Sequence, residues 1–247
     1  MHDPRAALAA GNNADMYEAM FASWRLRCRR SRVAFIGEDV PPPYYSNLTV
    51  LSPGHQNDFL SELRRTAGRL GGRVGFKDSF VEFDLADNGF RVLLEACWIW
   101  RVPEVTHPEA GWSIVENAAG LEGWEAAWKK YGSPTKSRMF RESMLGRPDI
   151  KFWGKKAGAE FVAGCIANMS AECVGISNLF CAPSDEDVFG EATRAVGSMD
   201  RHRPIVGYVA GPRLDAARRA GFVSIGALRI LTADKACFQR HLALWGR

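Results

Sequence analysis

A chain of 247 residues, 47% hydrophobic and 24% charged, has the make-up of an ordinary globular protein and the length for one large or two small cores. Its formal charge of +4 is mild and, outside one arginine cluster, scattered, which argues against a dedicated nucleic-acid surface. No apolar run approaches the roughly 18 residues of a membrane span and Met1 to Ala22 lacks a signal-peptide core, so a cytoplasmic protein with no membrane partner is expected. The six cysteines include no C-x-x-C pair and the five histidines are dispersed, so neither a metal site nor a disulfide framework is indicated. Cys165, Cys173 and Cys181 fall on predicted strands and read as buried thiols, a cysteine nucleophile being the alternative.

The first predicted element is a helix with Met16, Met20 and Trp24 on its apolar face, followed by Arg25, Arg27, Arg29, Arg30 and Arg32. Cations are favoured in the last turn of a helix, so the cluster reads as a solvated helix end, with an anion site as the alternative. Beyond Pro41-Pro42-Pro43 come a strand from Tyr44 to Leu51, a helix traced by Phe59, Leu60, Leu63, Ala67 and Leu70, and a strand from Phe90 to Trp100. Val102 to Pro108, with two prolines and no period, is the expected linker. After it the pattern predicts a strand at Trp112 to Glu116, helices at Gly123 to Tyr131 and Ser137 to Leu145, and strands at Ile150 to Trp153 and Phe161 to Ala167.

Cys173 to Thr232 carries the clearest pattern. An apolar strand over Cys173 to Ala182 leads to Ser184 and Asp187, spaced as a capping box, and then to Val188, Phe189, Ala192, Val196 and Met199 at near-helical spacing. Pro204 to Val209 is a short strand, Leu214 to Ala220 a short helix closed by Gly221, and Phe222 to Thr232 a last strand.

An internal repeat also shows. Ser46-Asn47-Leu48 matches Ser177-Asn178-Leu179, Val74-Gly75-Phe76 matches Val206-Gly207-Tyr208, and Asn88-Gly89-Phe90 falls on Ala220-Gly221-Phe222, all at an offset of about 131 to 132 residues. The N-terminal half therefore reads as a partial copy of the C-terminal one, its front truncated or rebuilt because little chain precedes Tyr44.

The strand Gly175 to Phe180, the segment Val206-Gly207-Tyr208 and the close from Ala216 to Phe222 resemble the second half of the GNAT superfamily of N-acetyltransferases. The resemblance implies an α/β (α+β) fold of two GNAT-like units, with mixed, mostly antiparallel sheets flanked by helices. The partial N-terminal unit would span residues 1–103 and the C-terminal one 110–247. It further implies acetyl-CoA as cofactor, lying where the family's fourth and fifth strands splay apart. Pantetheine would run along Leu179, Phe180 and Cys181, with the pyrophosphate on backbone amides of Phe189, Gly190, Glu191 and Ala192 at the next helix N-terminus. Asp187-Val188-Phe189-Gly190-Glu191-Ala192 keeps the family's glycine and alanine but has Asp187 in place of Gln or Arg. The N-terminal counterpart has Gln56 but puts Phe59 at the glycine.

The general-acid tyrosine of many relatives is Ala217 here, and Leu85 in the first copy. Glu172, as a base through water, and Tyr208, as an acid, are the catalytic candidates, each with a purely structural reading beside it. The implied function is an acetyl-CoA-dependent N-acyltransferase acting on a small-molecule amine, in a protein whose assembly as a homodimer is open. The alternative is a non-catalytic module that binds an acyl-CoA or a metabolite.

Overall fold

The computed structural model describes residues 2–183 and 187–233. Ser184, which would head the predicted capping box, lies outside them, as do Cys237 and His241. A 20-residue helix, α1 (Pro4–Ser23), comes first; Asp3 accepts from the Arg5 amide at its start, and Pro4 sits in the first turn, where a missing N–H costs nothing. Ala6, Ala9, Ala10 and Ala14 are buried on its inner face, and such small side chains let the helix lie close against a sheet.

Among the described residues eleven strands form that sheet. In chain order they are β1 (Cys28–Arg30), β2 (Ala34–Gly37), β3 (Leu48–Val50), β4 (Val74–Asp78), β5 (Arg91–Arg101), β6 (Trp112–Ile114), β7 (Ile150–Ala157), β8 (Glu160–Met169), β9 (Val174–Cys181), β10 (Ile205–Val209) and β11 (Val223–Ala233). Their spatial order is β1-β2-β3-β4-β11-β5-β10-β9-β8-β7-β6. The remaining helices are α2 (Gln56–Leu70), α3 (Leu85–Asn88), α4 (Ala118–Tyr131), α5 (Val188–Gly197) and α6 (Arg213–Arg219). Only two neighbouring pairs are parallel, β3 with β4 across α2 and β9 with β10 across α5, as a helical crossover requires.

The two long strands β5 and β11 pair antiparallel at the centre, with Ala96 opposite Leu228. Those two residues are separated by the same offset of about 132 that relates the sequence blocks. Outward from this pair the first four strands on either side follow the same pattern, with β6 a further strand on one side alone; β11 lies beside the parallel pair β3 and β4, and β5 beside β9 and β10.

The sequence expectation for Cys173 to Thr232 agrees with β9, α5, β10, α6 and β11 to within about two residues at each boundary. Gly221 closes α6 with φ 86°, a value that favours glycine. Elsewhere there are corrections. The strand predicted over Tyr44 to Leu51 is only Leu48–Val50, because Tyr44 turns into the left-handed region (φ 68°). The region before it is rebuilt with α1, the expected first helix, and with the short strands β1 and β2, which the sequence pattern does not predict.

The arginine cluster is not a helix end. Arg29 and Arg30 lie on the edge strand β1 and are ion-paired, Arg29 with Glu38 and Glu62, Arg30 with Asp15 and Glu18. The helix predicted at Ser137 to Leu145 is a single 3-10 turn at Glu142–Met144. Glu125 on α4 is buried there and its carboxylate accepts from the amides of Met139 (2.8 Å) and Phe140 (3.0 Å), holding that chain extended where a helix would need the same donors. No helix among the described residues is long and apolar enough to cross a membrane, and no group of three or more His, Cys, Asp or Glu among them is placed to hold a metal.

Candidate functional site

The two parallel pairs differ at equivalent positions. In the first half, β3 meets β4 at Leu48 opposite Phe76 and Thr49 opposite Lys77, and the Asn47 amide donates to the Gly75 carbonyl at 2.8 Å. Phe59, at the start of α2, fills the space beyond by packing on Phe76 and Phe83. In the second half the ladder, also two residue pairs long, joins Val174 to Ile205 and Gly175 to Val206 and so stops short of Asn178 and Gly207, which stand where Asn47 and Gly75 are bonded in the first half; beyond it β9 and β10 diverge.

Local backbone geometry accounts for the divergence. Asn178 takes φ 54°, a conformation asparagine tolerates better than most residues, and the β8–β9 register shifts between Gly164/Phe180 and Ile166/Ser177. Such a bulge bends a strand and re-aims its side chains. At the mouth of the divergence a Cβ on Gly207 would stand 2.7 Å from the Ile176 carbonyl oxygen, so the close approach there requires glycine.

A cleft of about 470 Å³ fills the opening. Its walls come from both faces of the sheet. Trp98, Val206 and Tyr208 belong to the core under α1, whereas Ile99, Val209 and Phe189 belong to the core under α5. Tyr45 and Trp128 complete the wall on the α1 side. Among the described residues Arg213 at the rim is the only charged one in the lining, which holds no carboxylate and no histidine among them.

Of the residues predicted from sequence, Tyr208, Leu179 and Phe189 come together in this cleft. Burial raises the pKa of the Tyr208 hydroxyl, which therefore stays protonated at neutral pH and able to donate. The Leu179 carbonyl accepts from Arg213 Nη1 at 2.9 Å. Phe180 turns its ring away into the core around Trp124, and Cys181 pairs with Ala163 of β8. Ala192 is fully buried.

Gly190 lies at the first turn of α5, where among the described residues the first helical bond runs from Glu191 N to the Asp187 carbonyl. The Asp187 carboxylate stands over that turn, 2.6 Å from where a Gly190 Cβ would be, and reaches Arg194 at 3.3 Å. Glu191 is taken up elsewhere, accepting from Trp112 Nε1 at 2.8 Å and pairing with Lys155 at 2.7 Å. Glu172 is exposed in the bend before β9 and outside the lining, so it is not brought together with Tyr208.

Sequence reasoning missed Lys77. It lies on β4 with no exposure to solvent, its ammonium over the rings of Tyr208 (4.3 Å), Tyr17 (4.9 Å) and Trp98 (5.6 Å) and donating to Asn13 Oδ1. Burial lowers its pKa to about 7.

No family model matches the chain, and no curated protein matches it in sequence. Solved structures do. A GCN5-related N-acetyltransferase from Kribbella flavida superposes with TM-score 0.63 at 13% identity, over 93% of this chain and 95% of that one. A conserved protein of unknown function from Staphylococcus epidermidis gives 0.58 at 14% identity, over 83% and 92%. An N-myristoyltransferase from Saccharomyces cerevisiae, solved with bound myristoyl-CoA and inhibitors, gives 0.54 at 8% identity, over 81% and 64%. The described chain has the fold of the GNAT superfamily: a mixed α/β protein with one large mixed sheet flanked by helices. At these identities the likeness extends to the fold, and function is argued from the cleft.

Proposed function

We propose that the protein is an acyl-CoA-dependent N-acyltransferase that uses acetyl-CoA and acts on a small amine in the opening between β9 and β10. One observation carries the proposal: the second half opens its parallel pair into a lined cleft where the first half keeps the equivalent pair closed. The edge of β9 beyond Gly175 is then available for a pantetheine to add as a strand, and the N-terminal turn of α5 is where a phosphate would be placed. That several structural neighbours are described as GNAT acetyltransferases, and one as an N-myristoyltransferase with bound myristoyl-CoA, supports acyl-CoA binding in general.

In this scheme the neutral amine attacks the thioester carbonyl, the new C–N bond forms and the C–S bond breaks. The departing thiolate would take the Tyr208 proton, and the proton the amine gives up to water returns to Tyr208, so the tyrosine ends the cycle protonated. Glu172, exposed and away from the lining, has no part in it. As a division of the chain we propose two GNAT-like units, 1–103 and 110–247, with only the second binding the donor.

Calorimetric titration with acetyl-CoA followed by an acetylation screen over amines tests the function. Binding with turnover is expected; no binding would remove it. One observation favours the second reading, a binding module without turnover: the Asp187 carboxylate occupies the turn where phosphate would sit. If the donor binds there, Asp187→Arg exchanges repulsion for attraction. It should tighten acetyl-CoA binding by roughly 0.6 to 2 kcal/mol, an effect that shrinks as salt is added. The exposed pair with Arg194 that it breaks contributes little to stability. Unchanged affinity, with binding otherwise measurable, would place the donor elsewhere.

A further inference from the structure

We propose that the inner end of the cleft takes a carboxylate, with Lys77 as its counter-ion, so that the acceptor is an amine that also bears a carboxylate. The inference deepens the acyltransferase proposal and rests on it for the word acceptor, though not for the anion site itself.

Four groups surround the Lys77 ammonium, Asn13 and Tyr17 from α1, Trp98 from β5 and Tyr208 from β10; all four line the cleft, and Lys77, without solvent exposure, lies directly behind them, where a carboxylate would have to pass between their side chains to reach it. Thr49 and Ile230 flank Lys77 across the sheet, and Ile230 also lines the cleft. An ammonium has three N–H donors. Asn13 accepts from one, and no carboxylate among the described residues pairs with the lysine. Buried charges are normally paired, and a lysine left with one amide oxygen and three ring faces is stabilised far less than one with a counter-ion. A methionine would fill the same space without that cost.

The described residues that line the cleft carry no negative charge, and Arg213 adds a second cation at its rim. Its walls are otherwise mainly aromatic and aliphatic. A ligand complementary to them has an apolar body and an anionic end, and a carboxylate at the inner end completes the coordination of Lys77. An amine without a carboxylate would meet the ammonium as a like charge.

None of the groups facing Lys77 titrates near neutrality: burial raises the pKa values of Tyr17 and Tyr208, and the others are uncharged. An anion beside Lys77 favours its charged form, so binding should take up protons at pH 7.5. That signature separates a counter-ion from a merely structural lysine.

The test uses the full chain and two small probes, 3-phenylpropionate and 2-phenylethylamine, in calorimetry at pH 7.5 in two buffers of different ionisation enthalpy. The expected result is at least tenfold tighter binding of the carboxylate, with proton uptake, both lost in Lys77→Met. Equal or tighter binding of the amine overturns the proposal, as does a preference that survives Lys77→Met. Should that variant not fold, proton uptake by the wild-type chain still decides. A tenfold preference for succinyl-CoA over acetyl-CoA that depends on Lys77 would put the carboxylate on the acyl donor, and would also overturn it. Probe binding needs no CoA. Intact carboxylate binding without any acetyl transfer would therefore remove the transferase reading alone, and transfer to amines with no carboxylate preference would remove this one alone.

Discussion

Lys77→Met is expected to stabilise the protein by several kcal/mol at pH 6.5 and by about 3 kcal/mol less at pH 9.5. The sign follows from the two pKa values. In the folded chain burial lowers Lys77 to about 7, whereas an unfolded lysine titrates near 10.4. Between these values the unfolded state holds the extra proton, so stability from this group rises with pH by roughly 1.4 kcal/mol per unit. Below pH 7 both states are charged and the full cost of burying the ammonium is present. Methionine carries none of that cost, although it leaves the Asn13 oxygen without its donor, a loss of about 1 kcal/mol. Urea unfolding of both proteins at the two pH values checks this. The range stops short of pH 10 because the buried Tyr17 and Tyr208, with pKa values raised in the fold, lose stability as pH rises beyond it. An equal difference between variant and wild type at both pH values would mean that Lys77 keeps its ordinary pKa.

Trp124→Ala should cost roughly 3 to 5 kcal/mol. Trp124 is fully buried and meets Phe140, Phe152 and Phe180 edge to face, with ring centroids 5.1 to 5.3 Å away. Its Nε1 donates to the Trp153 carbonyl at 2.8 Å. Two glycines make room for it, since a Cβ on Gly164 would lie 2.4 Å from that nitrogen and one on Gly154 3.2 Å from the ring. Truncation leaves a cavity no neighbour can fill, because three rings and two strands fix its walls. Trp124→Phe keeps most of the apolar area and should cost distinctly less, with only the Trp153 carbonyl losing its donor. Thermal unfolding of the two variants separates these contributions, and comparable costs would show that the hydrogen bond outweighs the packing.

The parts of the fold that were legible in the sequence are those where local signals agree. Along Cys173 to Thr232 the apolar periods, the helix-closing Gly221 and the repeat offset all point the same way. Leu179, Phe189 and Tyr208 reach the cleft because their places follow from strand and helix order. Ser137 to Leu145 reads as a helix because Met139, Phe140 and Met144 have helix-like spacing, and no local pattern reveals that Glu125 captures the amides of Met139 and Phe140. Strands β1 and β2 are three and four residues long, and one is rich in arginine, so neither carries a period. Glu172 is next to the right strand in sequence, but sequence does not say on which side of a bend a side chain ends. Lys77 looks like a solvent-facing strand residue. Its aromatic surround is assembled from α1, β5 and β10, and only the folded chain brings these together.

The measurement that bears most directly on the proposed donor site is amide hydrogen exchange with and without saturating acetyl-CoA. Binding in the opening between β9 and β10 should slow exchange in residues 176–181 and at the start of α5, residues 188–192, where a bound donor would cover the backbone. Little change is expected at the closed pair β3 and β4. Protection confined to the start of α2, residues 55–60, or none at residues 176–192 despite measurable binding, would contradict the assignment of the donor to this cleft.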